Sequence, residues 1–81
     1  MKVLVRLFAA AKEIVGRREL VVELPPGSTA ADLFEHLKEQ FPRLKELQGS
    51  LILSINREYA DRERSLEEGD EVALIPPVSG G

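Results

Sequence analysis

This 81-residue chain is poor in side chains that act as nucleophile, base or metal ligand. Serines stand at Ser28, Ser50, Ser54, Ser65 and Ser79, and His36 is the sole histidine. A serine nucleophile needs a neighbouring base that is itself oriented by a third group. His36 falls well off the apolar stripe of its helix, so it is expected on the solvent side, and no second base completes a triad. Carboxylates are plentiful but concentrate between Glu58 and Glu71, interleaved with Arg57, Arg62 and Arg64. A mixed-sign run of that kind reads as a solvated loop. One histidine and no cysteine leave only scattered oxygen ligands, so no metal site and no bound cofactor are expected. Gly27, Gly49 and Gly69 are isolated turn glycines and build no phosphate-cradling loop.

What remains is the end of the chain, Pro76-Pro77-Val78-Ser79-Gly80-Gly81. The bland reading is a loose terminus, as chain ends commonly are. The chemical reading starts from the two prolines, which lack the N–H needed to prolong a strand and favour an extended path away from the body. Six residues reach at most about 20 Å. A tip without side chains could enter a narrow channel and present the α-carboxylate of Gly81 unobstructed, with Gly80 keeping access open. A carboxylate is inert to acyl transfer until it is activated, for instance as an adenylate. Such an arm therefore requires one partner that uses ATP and a second that receives what is loaded.

Composition sets the frame. The chain is 43% hydrophobic and 31% charged, with 14 acidic against 11 basic side chains. That is one domain, too apolar to be disordered. With no apolar run of about 18 residues, no transmembrane helix is expected. The opening Met1-Lys2-Val3-Leu4-Val5-Arg6 lacks a cleavage site of small residues, so no secretory signal is read there. A net charge of −3 argues against nucleic-acid binding, and a cytoplasmic setting is expected. A domain this small buries only about 60–65% of its unfolded surface, and a catalytic cleft cut into it would be costly.

Periodicity supplies the elements. Lys2 to Phe8 alternates as a strand, with Val3, Val5 and Leu7 on the apolar side. Phe8 to Val15 shifts to helical spacing, and Gly16 ends it. Arg18 to Leu24 is a second strand, stopped by Pro25-Pro26-Gly27. The main helix runs from Thr29 to Gln40, capped by Ser28 or Thr29, with Ala30, Leu33, Phe34, Leu37 and Phe41 on one stripe. Pro42 to Leu47 can add another turn. Leu51 to Ile55 is a third strand, a short strand can form near Tyr59, and Glu71 to Ile75 is the last. The first two strands pair antiparallel, and the long helix carries the chain across to the third. The economical burial solution is α+β: a mixed four- or five-stranded sheet on one main helix, the ubiquitin-like β-grasp. Residues 1–75 form that domain and residues 76–81 its extended tail.

At this point the residues resemble a family. Val5-Arg6-Leu7-Phe8-Ala9-Ala10-Ala11-Lys12-Glu13-Ile14-Val15-Gly16, Thr29-Ala30-Ala31-Asp32-Leu33, Ile55-Asn56 and the ending Gly69-Asp70-Glu71-Val72-Ala73-Leu74-Ile75-Pro76-Pro77-Val78-Ser79-Gly80-Gly81 are similar to the small, sulfur-carrying subunits of molybdopterin synthase. The Phe-Ala…Gly opening joined to the Ile-Pro-Pro-Val-Ser-Gly-Gly ending is the specific part. Lys12-Glu13 stands where the family often has Arg-Glu.

The resemblance implies a carrier that is not an enzyme by itself. An E1-like activating enzyme adenylates the Gly81 carboxylate with ATP and magnesium, and a sulfur donor converts it to a thiocarboxylate. The loaded tail enters the large catalytic subunit, in a heterotetramer of two small and two large subunits. There its sulfur passes to cyclic pyranopterin monophosphate in molybdenum cofactor biosynthesis. It further implies that Leu4, Phe8, Val21 and Ile75, on the sheet face away from the helix, form a docking patch together with Pro76, Pro77, Val78 and Ser79. Two relatives of this reading stay open: a β-grasp carrier for thiamine synthesis or tRNA thiolation, and a ubiquitin-like modifier joining Gly81 to lysines.

Overall fold

The computed structural model describes residues 1–77. Strand β1, Lys2–Leu7, alternates buried and partly exposed positions as its sequence does. Helix α1, Ala9–Val15, begins one residue later than periodicity suggests, because Phe8 keeps extended angles as the N-cap. Gly16 ends the helix with φ 83°, a left-handed conformation that favours glycine, and its N–H donates to the Lys12 carbonyl. Strand β2, Glu19–Glu23, returns antiparallel along β1, with Val3 opposite Val22 and Val5 opposite Leu20.

Helix α2, Ala30–Gln40, is started by Thr29. The Asp32 amide donates to the Thr29 hydroxyl at 3.2 Å, while the Thr29 amide donates to the Asp32 carboxylate at 2.9 Å. This reciprocal capping box satisfies two donors that the first turn leaves free. Two more are taken by a distant loop: the Ala30 amide donates to the Arg64 carbonyl and the Ala31 amide to the Arg62 carbonyl. The same loop returns a bond from the Leu66 amide to the Ser28 carbonyl at 2.8 Å. The charged run after Tyr59 thus has a second role besides facing water: it clasps the start of α2. Phe41-Pro42 ends the helix, and a 3-10 helix, Pro42–Leu47, follows.

Strands β3, Ile52–Ile55, β4, Glu58–Tyr59, and β5, Glu71–Ile75, complete a five-stranded sheet of order β2-β1-β5-β3-β4. All neighbours are antiparallel except β1 and β5, which run parallel at its centre. This is the ubiquitin-like β-grasp.

One sheet face supplies Val3, Val5, Leu7, Val22, Leu53, Ile55, Val72 and Leu74 to the core, and α2 supplies Ala30, Leu33, Phe34 and Leu37, all buried. Burying each large apolar side chain contributes roughly 1.5–3 kcal/mol relative to exposure. Ala11, Leu44 and Leu66 close the ends of this layer and are as deeply buried. No helix among the described residues is long and apolar enough to cross a membrane.

Candidate functional site

The parallel β1–β5 ladder decides where the chain leaves the body. Leu4 pairs with Glu71, Arg6 with Ala73 and Leu7 with Leu74. Phe8 is still extended, so continuing the register by one residue sets it level with Ile75. The two prolines therefore follow β5 at the end of the sheet where β1 turns into α1. Ile75 is half-buried, Pro76 buried and Pro77 exposed. Pro76 was expected to offer a docking contact, but its burial turns it towards the fold, leaving Pro77 as the accessible one of the pair. Val78, Ser79, Gly80 and Gly81 lie outside the described residues.

The sheet face opposite α2 carries the rest of the expected patch. Phe8 is 42% exposed and Val21 63%, while Leu4 and Ile75 are half-buried. Reading the residues missed two members of this face: Ile52, opposite Ile75 and 45% exposed, and Tyr59, opposite Ser54 and 82% exposed. Ile52 was recoverable, since it alternates with the buried Leu53 and Ile55. Tyr59 sits in a two-residue strand, too short for a period to show. Phe8, Ile75 and Ile52 together run across three strands. Arg6 edges the patch, with its guanidinium carbon 6.0 Å from the Phe8 ring centre and its Nη1 3.7 Å from the Glu71 carboxylate.

Among the described residues, serine, histidine and carboxylate meet in a depression between the Pro25–Ser28 loop and α2, which Ser28, Asp32 and His36 all line. Each is engaged elsewhere. The buried Ser28 hydroxyl donates to the Pro25 carbonyl at 2.7 Å, Asp32 holds the capping box, and His36 Nε2 lies 3.4 Å from the Gln40 amide nitrogen. His36 is half-buried, a little less open than its position on the helix suggested. None of these contacts joins nucleophile to base. Among the described residues no group of three or more His, Asp or Glu side chains could hold a metal ion.

The described residues thus place a partly apolar sheet face beside the chain's exit from β5 and join no nucleophile to a base. Residues 5–81 match the ThiS family. The chain belongs to the ThiS family.

Likenesses to individual proteins cover the chain end to end. It is 37% identical over 81 residues to the molybdopterin synthase sulfur carrier subunit of Arabidopsis thaliana, covering 100% of this chain and 84% of that one. SAMP1 of Haloferax volcanii, a small archaeal modifier protein, superposes with a TM-score of 0.89 at 30% identity, covering 100% of both chains. A chain from the complex of subunits 1 and 2 of the molybdopterin-converting factor of Helicobacter pylori matches at TM-score 0.71 and 26% identity, again over 100% of both chains.

Proposed function

We infer that this ThiS-family protein is a sulfur carrier of molybdenum cofactor biosynthesis and acts as the non-catalytic, sulfur-donating subunit of a molybdopterin synthase. The full-length likeness to a molybdopterin synthase sulfur carrier subunit carries this reading. The lack of any joined nucleophile and base among the described residues supports it.

The reacting atom is the carbonyl carbon of Gly81. An E1-like enzyme joins its carboxylate oxygen to the α-phosphorus of ATP, with magnesium, and pyrophosphate leaves. Hydrosulfide-level sulfur released by a donor then attacks the acyl carbon, the C–O bond to AMP breaks and AMP leaves, and the terminus is a thiocarboxylate. Gly80 lets the tip pass where a side chain would jam. The large subunit supplies the catalytic groups, and the sulfur is delivered there to cyclic pyranopterin monophosphate. A dithiolene needs two sulfurs, so two loaded carriers are consumed per product, consistent with two small and two large subunits. The likeness to a chain of a two-subunit complex supports a protein partner. The setting is cytoplasmic.

The likeness to a small archaeal modifier protein favours one second reading, conjugation of Gly81 to lysines of other proteins. Intact-mass analysis of the protein from its host separates the two. A carrier shows sulfur replacing oxygen at the terminus; a modifier appears as lysine-linked adducts.

A further inference from the structure

At the end of β1, Arg6, Leu7, Phe8, Ala9, Lys12 and Arg18 line a recess of about 350 Å³. Three of the six are cations and none is a carboxylate, in a chain of net charge −3. Arg6 is occupied by Glu71 at 3.7 Å and stands opposite Glu19 in the β1–β2 register. Lys12 and Arg18 are exposed, and neither has an ion pair among the described residues. Non-glycine residues rarely hold positive φ, yet Ala9, in the wall of the recess, has φ 49°. Such strain costs about 1–3 kcal/mol and tends to collect at binding surfaces.

Position adds to charge. The recess opens beside Phe8, and the parallel ladder brings the tail out at the same end of the sheet. A protein that grips the tail beyond Pro77 while covering Phe8 must therefore lie over Lys12 and Arg18. We propose that this recess is a docking site for a carboxylate-bearing segment of the partner that takes the tail. The inference rests on the carrier reading and deepens it: Phe8 supplies apolar contact, while Lys12 and Arg18 select an acidic partner surface and speed its encounter.

The test measures binding of the cognate large subunit to the full chain and to Lys12→Glu/Arg18→Glu, with Arg43→Glu/Lys45→Glu on the 3-10 helix as a control of equal net charge. The double charge reversal is expected to weaken binding at least about tenfold, most steeply at low salt, and Lys12→Arg/Arg18→Lys to restore it. Equal affinity for Lys12→Glu/Arg18→Glu with an unchanged melting curve, or an equal loss in Arg43→Glu/Lys45→Glu, overturns the proposal.

Should the large subunit not bind the wild-type chain, the carrier reading fails, and titration with hexaglutamate followed by amide NMR decides the recess alone. Saturable shifts confined to residues 8–12 and Arg18 support it; scattered or absent shifts overturn it. If removing residues 78–81 raises the peptide affinity, the occupant is the chain's own terminus and the assignment to a partner falls.

Discussion

Leu7 lies opposite Leu74 in the parallel ladder at the centre of the sheet, and both side chains are buried. The first and last strands of the domain are thereby locked side by side and run in one direction. The consequence is positional: the chain leaves β5 next to Phe8 and the start of α1, so its exit and the Phe8 end of the exposed apolar face lie at one end of the sheet.

The core that holds this arrangement is small, and α2 is its lid. Leu37 is fully buried beneath the sheet. Leu37→Ala is expected to cost about 2–5 kcal/mol, against a total near 5–15 kcal/mol for a domain. Urea unfolding followed by circular dichroism measures it, and a loss below about 1 kcal/mol would show the helix to be loosely packed.

The capping box is separable from the core. Thr29→Ala removes the acceptor of the Asp32 amide and is expected to cost about 1 kcal/mol. A domain of this size should then melt roughly 4–8 °C lower. An unchanged midpoint would mean that the clasp from the Arg62 and Arg64 carbonyls fixes the helix start alone.

Much of this organisation was legible in the residues. Gly16, Thr29 and Phe41-Pro42 punctuate the chain with local chemistry, and the helices start and stop there to within a residue. Alternation in Val3, Val5 and Leu7 marked the buried face. What could not be read is non-local. The parallel pairing of β1 with β5 joins residues nearly seventy positions apart, and no period in either strand specifies its neighbour. Leu44 and Leu66 belong to no amphipathic run, so their burial depends on what folds over them. The charged loop could be read as solvated, but its carbonyl bonds to α2 leave no trace in side-chain type. For the site, Phe8 and Ile75 followed from strand parity, whereas the cationic recess arises only when β1, α1 and the start of β2 converge.

The apolar face is expected to matter for binding far more than for folding. Phe8 is 42% exposed, so Phe8→Ser should shift the melting midpoint little. Combined with Ile75→Thr, it should weaken binding of the large subunit by 2 kcal/mol or more if this face is a hot spot, which calorimetry reads directly. Undiminished affinity in a folded double variant would remove the face from the interface.

Steric access at the tip is a separate requirement. Gly80→Phe adds bulk to the proposed substrate arm, and its melting curve is expected to match the wild type. Adenylation by the activating enzyme, followed as pyrophosphate release, should be largely lost. Normal release with a phenylalanine at this position would refute the narrow-channel requirement.

The central claim is that the reaction takes place at Gly81, with the folded domain as its handle. Its most direct measurement mixes the large subunit and cyclic pyranopterin monophosphate with either the full chain bearing a Gly81 thiocarboxylate or a chain lacking Gly81 after the same sulfur loading. Molybdopterin should form with the first and not with the second. Equal product from the chain without Gly81 would contradict the claim.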